Sequence, residues 1–202
     1  MRISDEPDGP NDDENPQILV EASERSPRDE EPKEEMSVDE FRELAAVEVS
    51  RLTPERVKII RETFAVMKRH FTHNCLSLFL RLFSEYPLYK DIWPQFRAIP
   101  DSSLMYSQEL KKHVQMFSRG FNSIVEKLEN GDELQELLRK YAKLHSKRSI
   151  YKTHIMNMHT EYMIVLRSLG VESKAEIDDA WLTFFDAIGN LVDPMKTEIK
   201  AV

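Results

Sequence analysis

SQELKKHVQMFSRGFNSIVEKLENGDELQELLRKYAKLHS, residues 107–146, carries two apolar stripes with one histidine on each. Leu110, Val114, Phe117, Phe121, Ile124 and Leu128 recur every three or four residues, the period of a helix with one buried face. Asn130-Gly131 is the dipeptide of a left-handed C-cap, so the first helix is predicted to stop there. Leu134, Leu137, Leu138 and Tyr141 then make the stripe of a second helix. His113 falls in phase with Leu110, Val114 and Phe117, and His145 with Leu138 and Tyr141, so both imidazoles are predicted on apolar faces.

A single histidine in such a place is ordinarily a core or boundary residue, because imidazole is only intermediate in its preference for burial. Two of them on the buried faces of successive antiparallel helices can flank something planar lodged between. A neutral imidazole is an axial ligand for haem iron, and an apolar pocket with one hydrogen-bond donor stabilises a bound diatomic gas.

Working outward, the same helical period runs through most of the chain. Ser37 with Glu40 three residues on is a capping box, and it opens a stripe of Phe41, Leu44, Ala45 and Val47 over residues 37–51. Thr53 followed by Pro54 is a second start signal, leading into Val57, Ile60, Phe64 and Met67. Leu76, Phe79, Leu80 and Phe83 follow, ending near Pro87, with a short segment to Trp93-Pro94 and a loop over 97–103. A helix from Ile150 to Leu169 is predicted to close at Gly170, and Ser173 to open the last one, with Ile177, Trp181, Phe184, Phe185, Ile188, Leu191 and Val192. No alternating run of strand length competes, so the fold class is all-α.

Residues 1–36 differ in kind. They hold 13 of the acidic residues against four basic ones, while the whole chain carries a net charge of −8, so the remaining residues are nearly neutral. Five of the ten prolines lie in this leader, and its one apolar cluster is Ile18, Leu19 and Val20, too little to offset the entropy of ordering it. Residues 1–36 are therefore read as a disordered acidic extension, with Ser23 and Ser26 within it and Ser37 just after it as conceivable kinase targets. The leader lacks the basic start and apolar run of a secretory signal, and no segment has the roughly 18 apolar residues of a membrane span. One cysteine, Cys75, excludes an intrachain disulfide framework, five glycines argue against nucleotide-type loops, and the balanced body has no basic stripe for nucleic acid. These features predict a cytoplasmic protein, with the nucleus left open.

The residues around the two histidines resemble the globin family from Leu52 to Met195. Leu52-Thr53 followed by Phe64 is similar to the first globin helix, and Arg81-Leu82-Phe83 running to Tyr86-Pro87 to the second helix turning into the third. Trp93-Pro94-Gln95-Phe96 resembles the corner that normally reads Phe-Pro-Lys-Phe, Ser107-Gln-Glu-Leu-Lys-Lys-His113 the distal-histidine helix, and Ala180-Trp181 the final helix; Leu144-His145 stands where the proximal histidine belongs. The resemblance implies a globin domain over 52–197, preceded by an additional helix over 37–51.

It also implies roles. His145 would be the proximal ligand of haem iron and His113 the distal histidine. Phe79 and Phe117 would wall the gas side. Tyr141 would lie under the haem ring, and Ile150, Ile155 and Met158 would meet its edge. At the corner, where the family places phenylalanine against the haem, the count from Pro87 gives Trp93, and a shifted corner gives Phe96. Lys111-Lys112 and Lys147-Arg148 would neutralise haem propionates.

Two functions follow from this resemblance. In the first, the protein reversibly binds dioxygen or another diatomic gas, with His113 as hydrogen-bond donor. In the second, His113 also ligates the iron, and the six-coordinate protein serves electron transfer or redox and gas signalling, with the acidic extension meeting a protein or redox partner. A globin fold that has lost haem and acts as an adaptor is a third reading, opposed by the presence of both histidines. In none of them is the chain an enzyme in its own right. His70 and His73 lack an acid or cysteine to complete a metal site, and His154 and His159, five residues apart, point about 140° apart around a helix. Cys75 reads as a small buried hydrophobe.

Overall fold

A computed structural model describes residues 36–195; the acidic leader, with Ser23 and Ser26, lies outside the described residues. Nine helices are described, with no strand among the described residues. Helix α1 (Val38–Ser50) begins at the Ser37 capping box: the Ser37 hydroxyl accepts from the Glu40 N–H at 3.2 Å and the Glu40 carboxylate from the Ser37 N–H at 2.8 Å. Helix α2 (Pro54–Lys68) starts behind Thr53, whose Oγ1 faces the Arg56 N–H, and α3 (Phe71–Glu85) follows. A 3-10 turn (Pro87–Ile92) and two one-turn helices, α4 (Pro94–Arg97) and α5 (Asp101–Leu104), form the corner before α6 (Gln108–Glu126). Helices α7 (Gly131–Ser146), α8 (Lys152–Ser168) and α9 (Ala175–Val192) complete the fold, with a 3-10 turn (Asp193–Met195) after them.

Two sequence signals resolve differently from their reading. Asn130-Gly131 is not a left-handed stop for α6, which already gives out at Lys127; Asn130 is extended (φ −113°, ψ 90°) and its side chain caps α7 by accepting from the Glu133 N–H. With so few residues between the two helices, the asparagine oxygen satisfies an otherwise orphan donor of the following helix. Ser173 does not cap α9, which opens after Lys174 without a side-chain cap and carries Glu176 and Asp178 in its first turn instead. Gly170 does close α8 in the left-handed conformation expected of it, at φ 92°.

The core is aromatic and centred on α9. Trp181 is fully buried, with its indole N–H on Thr63 Oγ1 of α2 at 2.9 Å. Phe121 of α6 joins the layers, its ring 5.7 Å from Phe64, 5.5 Å from Tyr162 and 5.7 Å from Phe184. Helix α6 packs chiefly on α3, whereas α7 packs on α9 and α1, so the two helices, consecutive in sequence, meet each other only briefly. Phe41 and Ala45 of α1 are buried, which makes that helix a working part of the wall behind α7.

This packing yields the first prediction. Phe41→Ala should cost about 3–4 kcal/mol of unfolding free energy, the range for emptying a buried phenylalanine site. Urea denaturation followed by far-UV circular dichroism measures it; a loss below about 1 kcal/mol would mean that α1 is only loosely applied to the body.

Candidate functional site

His145 lies in the last turn of α7, and a specific turn closes the helix just past it. Ile150 N–H donates to the His145 carbonyl at 3.1 Å and Ser149 N–H to that of Ser146 at 2.9 Å, with Ser149 at φ 54°. That is a Schellman cap with serine in the left-handed position normally held by glycine. It reverses the chain so that the buried Ile150 follows His145 closely in space.

The His145 ring is oriented by its own helix. Its Nδ1 is 2.7 Å from the Tyr141 carbonyl oxygen. A carbonyl only accepts, so Nδ1 carries the proton and Nε2 presents a lone pair. No protein group hydrogen-bonds to Nε2 among the described residues. Burial, the largest effect, and the charge of Arg148 push the imidazole pKa down, against the Tyr141 hydrogen bond.

His113 of α6 is enclosed by aromatic edges. Its ring centroid is 4.9 Å from Phe79, 4.9 Å from Trp93 and 5.6 Å from Phe96, all near perpendicular or steeply tilted. Phe117 stands behind Phe79 at 5.0 Å. Burial, with smaller contributions from Arg148 and from His145 itself, lowers the His113 pKa to about 4, so this ring is neutral at pH 7.

The other predicted residues distribute as follows. Trp93 (8% exposed) and Phe96 (0% exposed) both pack against His113, so the corner brings together the two rings between which the sequence left a choice. Ile150 and Ile155 are buried and Met158 is half-buried against the core. Tyr141 is half-buried, and its ring lies on Gly120 of α6, a contact the sequence reading passed over. The signal available was a glycine inside a long helix, which is unfavourable without a packing reason. Ser149 offered none, since serine is not a left-handed residue by habit.

Other polar features stay apart from this site. His70 and His73 are exposed; His154 Nδ1 accepts from the Tyr151 N–H at 3.0 Å, while the His159 ring lies 5.4 Å from that of Phe185, tilted 60° to it. Cys75 is fully buried beside Ser118, and burial pushes its thiol up to about 12, so it stays protonated.

Two neutral imidazoles from successive helices are borderline nitrogen donors suited to iron, and no group of three or more His, Cys, Asp or Glu among the described residues could hold a metal ion. A metal held here must bring its own equatorial donors, which is the property of a metalloporphyrin, and the apolar aromatic surroundings of His113 suit its hydrophobic ring. Residues and group therefore fit each other.

An all-α fold with this helix order, its third and sixth helices packed together and its sixth and seventh splayed, is of the globin class. The chain belongs to the globin family, whose model matches residues 76–191. Cytoglobin-1 of Oryzias latipes is 28% identical over 166 residues, spanning 79% of this chain and 89% of that protein. Among solved structures, ferric Aplysia limacina myoglobin superposes with a TM-score of 0.64 at 17% identity, over 69% of this chain and 95% of that one. The hexa-coordinate haemoglobin of Drosophila melanogaster gives a TM-score of 0.64 at 18% identity, over 72% and 99%. Family membership implies haem and a diatomic gas as the ligands of the fold. No helix among the described residues is long and apolar enough to cross a membrane.

Two expectations follow from this geometry. Ser149→Gly should stabilise the protein by about 0.5–1 kcal/mol, by removing the left-handed strain on a Cβ-bearing residue; unchanged or reduced stability in chemical denaturation would contradict the cap. Second, because the folded chain refuses a proton at His113 that the unfolded chain accepts, the stability of the haem-free protein is fully present above about pH 6.5 and falls towards pH 4. His113→Leu should flatten that slope by up to one proton, as read from urea midpoints across the range.

Proposed function

We propose that this protein holds haem between α6 and α7, with His145 Nε2 as the axial ligand, and reversibly binds dioxygen or another diatomic gas on the His113 side. The observation that carries the proposal is the commitment of His145 Nδ1–H to the Tyr141 carbonyl, which leaves Nε2 as a lone pair without a protein partner. When bound, haem supplies the ferrous iron at which a diatomic gas is taken up and released. The chain's residues do the rest. Phe79, Trp93, Phe96 and Phe117 keep water away from the gas side, and neutral His113 offers one N–H donor there. Of the corner rings, Trp93 is assigned to the haem face, being nearer to His113 and less fully covered than Phe96. Tyr141, seated on Gly120, would pack beneath the ring, while Ile150, Ile155 and Met158 would meet its edge. Lys111, Lys112, Lys147 and Arg148 would offset propionate charge, and Arg148 is the one whose charge lowers the pKa of both imidazoles.

A second reading has a specific observation behind it. His113 is neutral, walled by aromatic edges and held by no hydrogen bond of its own among the described residues, so nothing polar restrains it from acting as the second axial ligand. Two proteins of similar fold, the Drosophila haemoglobin and a tardigrade haem protein, are hexa-coordinate. Such a protein would serve electron transfer or redox and gas signalling, with a partner met through the acidic extension. In both readings it is a cytoplasmic binding protein and not an enzyme.

Absorption spectra of the reconstituted protein, ferric and ferrous, with and without carbon monoxide, test both readings. A Soret band with a single broad ferrous visible band that splits on adding gas is expected for the open site; split ferrous bands before any gas is added mark the second reading. His145→Ala should weaken haem retention by about 100-fold or more, and His113→Leu should leave retention but abolish any six-coordinate ferrous spectrum. Absence of Soret absorption after haem addition defeats both.

A further inference from the structure

Gly120 lies inside the 19-residue helix α6, where glycine is less favourable than any residue but proline. The backbone there is ordinary helix, so the reason for glycine is steric. A Cβ at position 120 would stand 2.6 Å from Tyr141 Oη, 2.9 Å from Cζ and 3.2 Å from Cε1. The tip of the phenol therefore rests directly on the α6 backbone.

Both ends of this contact lie on the faces that bear the histidines. Gly120 is seven residues beyond His113, two turns along the same face, and Tyr141 is four residues before His145, one turn along its face. Because α6 and α7 meet only briefly and pack mainly on other helices, a rigid ring wedged between them sets their separation. The same Tyr141 accepts the Nδ1–H of His145 through its carbonyl. Its side chain thus fixes the distance of α7 from α6, and its backbone fixes the turn of the ligand ring.

We infer that Gly120 is a positioning residue: by seating the Tyr141 phenol it sets the spacing between the two histidine-bearing helices, and so the balance between His113 and external gas at the iron. This rests on the haem-binding reading proposed above. An internal ligand competes at an effective concentration that changes steeply with fit, so a shift of a few tenths of an ångström between the helices alters gas affinity.

Two variants of opposite sign test it in the full-length chain. Gly120→Ala inserts a wedge and Tyr141→Leu removes the strut. In the haem-free protein, Gly120→Ala should lower the melting temperature despite alanine's better helix propensity, whereas in a Tyr141→Leu background the same substitution should raise it. A higher melting temperature for Gly120→Ala alone overturns the seat. In the ferrous haem-bound protein, carbon monoxide affinity should rise about threefold in Gly120→Ala and fall about threefold in Tyr141→Leu; affinities unchanged in both, with wild-type circular dichroism, overturn the positioning role. If Gly120→Ala does not fold, the double variant Gly120→Ala/Tyr141→Leu decides: folding once the phenol is removed supports the seat, and failure to fold overturns it. If the wild type shows no Soret band, the haem reading has failed, and the melting temperatures still judge the Gly120 seat independently.

Discussion

The structure depends on where α6 and α7 find their packing partners. Joined by only the residues 127–130, two amphipathic helices would ordinarily close their apolar faces on each other as an antiparallel pair. Here α6 spends its stripe on α3 and, through Phe121, on the aromatic core around Trp181, while α7 spends its stripe on α9 and α1. The histidine-bearing strips are what the two helices have left over, so the site arises from a frustrated pairing. It also explains why an additional helix matters: α1 covers the back of α7, burying Phe41 and Ala45.

The same arrangement decides the electrostatics. Removing an imidazole from water disfavours its charged form, and both histidines are pushed down by burial before any other influence. The nearby Arg148 acts in the same direction on each. A neutral pair is what nitrogen ligation requires, since a protonated imidazole has no lone pair to give. The carbonyl of Tyr141 then selects the tautomer of His145, so that burial supplies neutrality and the helix backbone supplies direction.

Much of this was legible in the sequence because it depends on period. The phase of His113 with Leu110 and Val114, the Ser37 capping box, the Thr53-Pro54 start and the Gly170 stop are local signals that the fold leaves intact. The illegible features each depend on a partner distant in sequence or in the next element. Asn130 suits the end of one helix or the start of another, and only the early end of α6 at Lys127 decides for the start. Gly120 acquires its meaning from Tyr141, and Ser149 adopts a conformation that its type does not advertise. Trp93 and Phe96 could not be ranked because the corner is a one-turn helix, tight enough to bring both rings to His113.

The charged cluster behind α7 completes the argument about position. Asp186 of α9 accepts from Arg51 Nη2 at 2.7 Å and from Lys152 Nζ at 2.5 Å, while Asn190 bridges Glu48 at 3.0 Å and Lys152 at 2.7 Å. Partial burial raises the Asp186 pKa, but the hydrogen bonds from Lys152 and Arg51 outweigh it and hold the carboxyl below its usual range. Such a cluster is weak evidence for net stability, because desolvating its charges offsets most of their attraction. Its geometry is nonetheless demanding: Glu48 and Arg51 belong to the end of α1, Asp186 and Asn190 to α9, and Lys152 to the first turn of α8, two residues beyond Ile150. Sliding α1 along α9 by one turn would strand a buried carboxylate, so the cluster fixes register. That register determines where Phe41 meets the back of α7, and through Lys152 it anchors the chain as it leaves the turn after His145.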